Sequence, residues 1–230
     1  DHGVRLSGAN ADGPFEISAR FVVDASGYGR ALPRLLDLDA PSDFPVRHAL
    51  FTHIDDRLEG RNFDRNKILI TVHPACKDIW FWLIPFPNGR ASLGVVVPPA
   101  ELAKYPGTNE EKLWKIISET RDLQALLEGA VAVRPVAEMS GYSTRVKQLA
   151  GPRFALLGNA GEFLDPVFSS GVTVAFKSAD LLVDPLLRQL AGETVESGWI
   201  VSGSLSRHGI AAICRKSSST RPQMTIRSSR

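Results

Sequence analysis

The first half of the chain alternates between apolar and polar residues with the period of two that is typical of β-strands. This pattern predicts strands at Val4–Leu6, Phe15–Asp24, His48–Asp55, Lys67–His73, Ile79–Pro85 and Ala91–Val97. Asn88-Gly89 has the composition of a tight hairpin turn, so the last two strands are expected to pair antiparallel. The strand Phe15–Asp24 ends in three consecutive apolar residues, which favours a parallel strand covered on both faces.

Helical spacing of apolar residues replaces this alternation in several segments. A short amphipathic helix is predicted at Arg30–Leu38 and a longer one at Asn109–Glu119, with an asparagine cap and an acidic first turn. A further helix is predicted at Arg121–Leu127. The segment Val131–Tyr142 then returns to a strand pattern that Pro135 bends or places at an edge.

The stretch 154–187 carries the densest set of local signals. It predicts a buried strand at Phe154–Leu157, a Gly-rich turn, a loop fixed by Asp165-Pro166, and a helix entered through Ser169-Ser170-Gly171. A strand that leads into such a turn and a helix start collects free backbone N–H groups, which predicts a site for phosphate or another anion. The predicted apolar face of the helix consists of Val172, Val174, Ala175, Ala179, Leu182, Val183 and Leu186.

The charged residues are unevenly distributed along the chain. Lys and Arg number 27 against 25 Asp and Glu, for a net charge of +2. Residues 197–230 contain six of these cations and no acidic residue, so the remainder of the chain is net negative. The basic character therefore gives no reason to expect a nucleic-acid partner.

Composition also limits the cellular setting. Hydrophobic residues make up 43% of the chain, and no apolar run reaches the roughly 20 residues that span a membrane. The two cysteines, Cys76 and Cys214, form neither a disulfide framework nor a metal-binding spacing, so no metal is predicted. The start of the chain lacks the pattern of a signal peptide. We therefore expect a cytoplasmic protein without a membrane partner.

Three motifs together resemble those of flavin-dependent halogenases (tryptophan halogenase-like) and related FAD-dependent monooxygenases. Residues 158–172 read G-N-A-x-x-F-x-D-P-x-x-S-S-G-V, residues 80–85 read W-x-W-x-I-P, and residues 23–27 read V-D-A-S-G. The resemblance implies an α/β fold, part of a glutathione-reductase-like FAD-binding domain with an antiparallel substrate-domain sheet. It assigns 1–40 and 151–193 to FAD binding and 41–150 to the substrate sheet with its helices, and leaves 194–230 as a disordered or out-of-frame tail.

The resemblance also assigns candidate site residues. In the family, the strand and Gly-rich turn run along the ribityl chain of FAD and the helix passes under the isoalloxazine ring. Asn159 stands where relatives carry Asp, and its amide can still donate and accept hydrogen bonds. The candidate cofactor-binding residues are Asp24, Ala25, Gly27, Gly158, Asn159, Asp165, Pro166, Gly171 and Val172.

The candidate catalytic residues are Trp80, Trp82 and Ser170. The alternation of the predicted strand Ile79–Pro85 places both tryptophans on one face, where they would shape access to the flavin, although core packing is the alternative. The Ser170 hydroxyl and the Gly171 N–H are candidate halide or flavin contacts, with an ordinary helix cap as the alternative. Phe168 replaces the glutamate of enzymes that act on free tryptophan, so free tryptophan is not the expected substrate.

The activity implied by the resemblance is oxidation through a flavin C4a-hydroperoxide. With a halide ion, this species yields hypohalous acid and halogenates an electron-rich aromatic substrate, either small or carrier-tethered; without halide it hydroxylates. A separate flavin reductase would supply reduced FAD.

One family motif is missing from the chain. The strand–G-x-G-x-x-G–helix that binds the ADP pyrophosphate does not occur in this sequence. The 230-residue chain alone is therefore not expected to retain FAD. Two alternatives stay open at this point: a flavoenzyme that resembles geranylgeranyl reductase, and an inactive fragment that does not bind flavin.

Overall fold

The computed structural model describes residues 3–164, 166, 170–195 and 224–228, the last as backbone. Within these residues the chain forms two compact units. The first combines 3–44 with 143–195, and the second combines 45–142 with 224–228. Most of the predicted tail, 194–230, lies outside the described residues.

The first unit opens with a hairpin that is longer than the sequence predicted. Strands β1 (Val4–Asn10) and β2 (Gly13–Ala19) pair antiparallel along their whole length. Asn10 Oδ1 accepts the N–H of Asp12 at 2.9 Å, and Gly13 adopts φ +120°, which closes the turn tightly. The prediction of one strand at Phe15–Asp24 was wrong, because β2 ends at Ala19.

A separate short strand, β3 (Val22–Asp24), follows the hairpin. It leads into a 3-10 turn at Gly27–Gly29, then helix α1 (Ala31–Leu35) and strand β4 (Asp39–Ala40). Helix α1 is shorter than predicted because Arg30 takes the left-handed conformation, with φ 45°, and separates it from the 3-10 turn.

The second unit is built on an antiparallel sheet. Its first four strands are β5 (His48–Asp55), β6 (Ile68–Val72), β7 (Trp80–Pro85) and β8 (Arg90–Val97), close to the predicted bounds. Gly89, with φ 77°, closes the predicted hairpin between β7 and β8.

Three helices and two short strands follow in the second unit. These are α2 (Pro99–Leu102), α3 (Asn109–Ser118), α4 (Arg121–Leu126), β9 (Val131–Ala132) and β10 (Ala137–Ser140). Thr108, not Asn109, caps α3: its hydroxyl accepts the Glu111 N–H while the Glu111 carboxylate accepts the Thr108 N–H. The predicted strand Val131–Tyr142 divides into β9 and β10 around Pro135.

The core of the second unit lies on one face of this sheet. Leu69, Phe81, Leu83, Leu93 and Val95 are each at most 5% exposed. They belong to a single cluster with the buried residues Leu113, Ile116, Ile117 and Leu123 of α3 and α4. The helices therefore cover the face that carries Phe81 and Leu83, and the residues alternating with them point the other way.

The chain then returns to the first unit. Strands β11 (Arg145–Val146), β12 (Ala150–Gly151) and β13 (Phe154–Leu156) precede a 3-10 turn at Gly158–Ala160 and helix α5 (Gly171–Leu190). Strand β13 runs parallel to β3, with Leu156 paired with Asp24. The last described strand, β14 (Met224–Ser228), runs parallel to β6 at the edge of the large sheet.

Candidate cofactor cradle and aromatic wall

Asp24 organises the turn that follows β3. Its carboxylate accepts the N–H of Ser26 at 2.8 Å and the N–H of Leu32 at 2.7 Å, and the residue is 5% exposed. Burial raises the pKa of this carboxyl, but the hydrogen bonds from Ser26 and Leu32 outweigh it and the net pKa lies below its ordinary value. Asp24 therefore shapes the backbone at Ala25 and Gly27, the neighbouring predicted cofactor residues.

Replacing Asp24 with asparagine is expected to lower the free energy of unfolding by about 1 to 2 kcal/mol at neutral pH, because a neutral amide accepts hydrogen bonds more weakly. Since the folded-state pKa is depressed, this stabilisation is present above the ordinary value of 3.8 and is lost as the pH falls through the folded-state pKa. Urea unfolding of the wild-type and Asp24→Asn proteins at pH 7 and pH 3 measures this difference in unfolding free energy. The exposed Asp12→Asn variant is the control, and a difference that is as large at pH 3 as at pH 7 would contradict the assignment.

The Gly158–Ala160 turn rests directly on helix α5. Gly158 adopts φ 53°, and a Cβ there would lie 3.1 Å from the Cβ of Ala175. The Gly158 N–H donates to the Ser178 hydroxyl at 3.0 Å, and that hydroxyl donates to the Ala175 carbonyl. The Ala160 N–H donates to the Leu157 carbonyl at 3.2 Å. The prediction that this turn offers free amides to an anion was therefore wrong for Gly158 and Ala160.

At the start of α5, the first-turn N–H groups have no partner within the helix. Ser170 precedes the helix with helical backbone angles, φ −76° and ψ −13°, and its side chain makes no capping hydrogen bond. A Cβ at Gly171 would lie 3.7 Å from Asn159 Oδ1. The structure thus brings Gly158, Asn159, Ser170 and Gly171 together in one arrangement, which we call the cofactor cradle.

Two predicted cofactor residues stand apart from these contacts, and a third lies outside the described residues. Val172 is 67% exposed on the outer side of α5. Pro166 is partly exposed in the loop before the helix, and Asp165 lies outside the described residues, as do Phe168 and Ser169.

Arg30 is a buried cation that the sequence pattern did not single out. It is 5% exposed, and its guanidinium donates to the carbonyls of Ala160 at 3.4 Å and Arg145 at 3.3 Å and pairs with Asp39. One side chain therefore connects the turns after β3 and β13 with strands β4 and β11. Its partners lie 9, 115 and 130 positions away in sequence, so local periodicity carries no signal for it.

Trp80 and Trp82 point away from the helix-covered core. Phe81 and Leu83 are each 1% exposed, whereas both tryptophans are partly exposed and lie outside the core cluster. The indoles contact each other with ring centroids 5.9 Å apart. The alternation predicted for this strand is therefore confirmed, and the tryptophans lie outside the core that the sheet forms with α3 and α4.

The indole of Trp82 lies across the neighbouring strand. A Cβ added to Gly94 would lie 2.2 Å from Trp82 Cζ2, so only glycine leaves room for the ring. Trp82 Nε1 donates to the Ser92 hydroxyl at 3.0 Å, which fixes the ring laterally. Phe51 contacts Trp82 with centroids 6.3 Å apart, and Phe86 lies at the far end of the same face. We call Phe51, Trp80, Trp82 and Phe86 the aromatic wall.

The part of the chain that the structure describes contains neither a candidate metal site nor a candidate membrane-spanning helix. No group of three or more His, Cys, Asp or Glu side chains is arranged to hold a metal ion. No helix among the described residues has the length and apolar character needed to cross a bilayer.

Comparison with known proteins gives a consistent result. The profile of the family described as Tryptophan halogenase matches residues 6–197. The chain is 33% identical over 168 residues to a 1H-pyrrole-2-carbonyl-[peptidyl-carrier protein] chlorinase of Pseudomonas fluorescens, a match covering 71% of this chain and 37% of that protein.

Two solved structures show similar folds. The flavoprotein/dehydrogenase of Cytophaga hutchinsonii is 36% identical with a TM-score of 0.80, over 91% of this chain and 50% of that one. The FAD-dependent myxobacterial chondrochloren halogenase is 28% identical with a TM-score of 0.71, over 87% and 46% respectively. The mixed α/β fold predicted from sequence is confirmed, and the chain spans half or less of the length of these relatives.

Proposed function

This chain belongs to the tryptophan halogenase family, and from that membership we propose that it forms part of an FAD-dependent enzyme that halogenates an electron-rich aromatic substrate. The observation that carries the proposal is the orientation of Trp80 and Trp82. Both indoles leave the helix-packed core and stand on the opposite face, where Gly94 and Ser92 hold one of them in place. Packing of the core does not require two large indoles on this face, whereas exposed aromatic rings can bind an aromatic ligand.

The polar groups of the cofactor cradle and the open space at Gly171 support a flavin-binding role. Asn159 supplies an amide that can donate to and accept from a ribityl hydroxyl, and the first amides of α5 supply N–H donors beside it. Gly171 leaves open the space that a side chain would fill next to Asn159. Asp24, Ala25 and Gly27 would border the dinucleotide through the backbone of their turn. When bound, reduced FAD supplies the electrons for activation of dioxygen.

The residues of this chain would position and isolate the reacting partners. The aromatic wall would exclude water and orient a planar substrate by ring contacts. The Ser170 hydroxyl and Gly171 N–H would bind a halide ion, aided by the positive end of α5. The substrate would be a small aromatic molecule or a carrier-tethered ring of the kind for which the Pseudomonas relative is named. A flavin reductase is the proposed redox partner.

The direct test uses the chain expressed with the coding sequence that flanks it on both sides. The protein is supplied with FAD, a flavin reductase and chloride or bromide, and aromatic products are analysed by mass spectrometry. Halide-dependent formation of a halogenated product supports the proposal. Hydroxylation that is independent of halide would contradict the proposal and indicate a monooxygenase. Failure to bind FAD would indicate a family member without flavin-dependent activity.

Replacing Ser170 with alanine in that protein is expected to raise the half-saturating halide concentration about tenfold, because one hydrogen bond to an anion is lost. Product yield measured against halide concentration checks this. The matched control is Thr173→Ala, which removes an exposed hydroxyl one turn further along the same helix. Unchanged halide dependence in the Ser170 variant would mean that Ser170 does not bind the halide and has a structural role.

A further inference from the structure

Strand β6 lies one strand from the edge of the large sheet. The strand order β10-β5-β8-β7-β6-β14 places β7 on one side of β6 and, among the described residues, β14 on the other. Strand β14 pairs with it in parallel, from Met224 opposite Ile68 to Ser228 opposite Val72. The backbone of these five residues therefore covers what would otherwise be an edge strand.

The sequence of β6 has none of the features that usually prevent an edge strand from pairing with another chain. It reads I-L-I-T-V, with four β-branched residues among its five and no charge, proline or glycine. Its register with β7 is continuous from Leu69 to Val72, so no bulge interrupts it. Native edge strands are usually protected by charges, prolines or bulges, because their free N–H and C=O groups bind other strands. The sequence of β6 is therefore that of a strand covered on both sides.

The opposite side of the sheet is protected by its own sequence. The outermost strand there, β10, has only four residues and contains Glu138, whose carboxylate lies 2.6 Å from the His48 ring nitrogen. Pro135 comes shortly before this strand. Short length, a charge and a nearby proline all limit pairing at an edge. Of these two outer sides, only that of β6 depends on another segment of the chain for its cover.

The hydrogen-bonding pattern shows which backbone groups of β6 face β14. The His73 N–H, just beyond the end of β6, donates to the Ile79 carbonyl at 2.9 Å. Hydrogen-bonded pairs alternate along an antiparallel ladder, so Thr71 and Leu69 also bond to β7. The N–H and C=O groups of the alternate residues, Ile70 and Val72, therefore point away from β7. We call these groups the outer edge of β6.

The register of β14 shows which of its backbone groups reach the outer edge of β6. In a parallel pair, the N–H and C=O of one residue bond to the two residues that flank its opposite neighbour. Ile70 lies opposite Ile226, so its N–H is directed to the Thr225 carbonyl and its carbonyl to the Arg227 N–H. By the same rule the Thr225 N–H is directed to the Ile68 carbonyl. The N–H of Ile226 points away from β6.

We propose that the outer edge of β6 is a strand-binding surface, that residues 224–228 are its occupant within the chain, and that they keep it from pairing with the β6 of a second copy. Without β14, two copies of β6 paired antiparallel about Ile70 would satisfy the outer edges of both in one isologous contact. This inference concerns the edge of the sheet and is independent of the proposed halogenating activity.

The test follows amide hydrogen exchange in the full 230-residue chain by NMR. Thr225→Pro removes an N–H that is directed to β6, so β14 should no longer pair. The amides of Ile70 and Val72 are expected to be protected in the wild-type chain and to exchange at least about tenfold faster in this variant. The amides of Leu69 and Thr71, which bond to β7, should change by less than about twofold.

Sedimentation velocity over a range of protein concentrations measures the consequence for self-association. Thr225→Pro is expected to form a dimer that the wild-type chain does not form. Adding Val72→Pro removes an N–H from the outer edge of β6 without removing a bond to β7, and should abolish that dimer. Ile226→Pro is the matched control, because its N–H points away from β6, and it should behave like the wild-type chain in both measurements.

Rapid exchange of the Ile70 and Val72 amides in the wild-type chain would overturn the inference, as would their unchanged protection in Thr225→Pro. Equal loss of protection in Thr225→Pro and Ile226→Pro would contradict the register, and loss of protection without a new dimer would contradict the role of β14 as a cover. Selective loss of protection in Thr225→Pro, together with a dimer that Val72→Pro abolishes, would support it.

Discussion

Replacing Gly94 with alanine is expected to displace the Trp82 indole and lower the free energy of unfolding by about 2 kcal/mol, as overpacking does in well-packed sites. The added Cβ would lie 2.2, 2.3 and 2.6 Å from three indole atoms, and the ring cannot withdraw without losing the hydrogen bond to Ser92. The contact with the Trp80 ring should change as well. Near-UV circular dichroism of the indoles and urea unfolding measure the two effects.

A double-mutant cycle with Trp82→Ala gives the control. Once the indole is gone, alanine at position 94 meets no obstacle and should be neutral or stabilising by about 0.5 kcal/mol, because it reduces the freedom of the unfolded chain. An equal cost of the Gly94 substitution in both backgrounds would mean that the glycine serves the backbone rather than the tryptophan.

Arg30→Ala is expected to cost about 3 kcal/mol of unfolding free energy, because it removes a buried cation that donates to two carbonyls and pairs with Asp39. The carbonyls of Ala160 and Arg145 would lose a charged donor. The turns after β3 and β13 would then open more often, which hydrogen exchange of the Gly158–Ala160 amides would detect.

Two variants test whether geometry, and not charge alone, is what matters at this position. Arg30→Lys keeps the charge but lacks the planar fork that reaches several acceptors, so about half of the loss should remain. Arg145→Ala removes an exposed arginine paired with the exposed Asp43, and should cost less than about 1 kcal/mol of unfolding free energy. Equal losses for Arg30→Ala and Arg145→Ala would contradict the structural role assigned to Arg30.

Helix α5 packs through only part of its predicted apolar face. The sequence predicted the helix, but its predicted apolar face included Val172 and Val183, which are 67% and 54% exposed. The face that packs contains Val174 and Leu182, as predicted, together with Ser178, and each is less than 9% exposed. Apolar residues occupy two sides of this helix, and hydrophobicity alone does not decide which side contacts the sheet.

The sequence by itself determined the strands of the large sheet, the turn at Gly89, and the division of β7 into a core face and an aromatic face. These features depend on neighbours in the chain, since alternation and turn chemistry are local. It also carried the family motifs that led to the candidate cofactor cradle.

Only the tertiary structure decided which residues support those motifs. Gly94 matters because β8 lies beside β7, Ser178 because α5 crosses the Gly158 turn, and Arg30 because distant strands converge on it. His53 contacts the Phe86 ring for the same reason, because β5, β8 and β7 are neighbours in one sheet. The physical cause is that side-chain direction follows from local periodicity, whereas the partner that a side chain meets depends on how separate elements pair and pack.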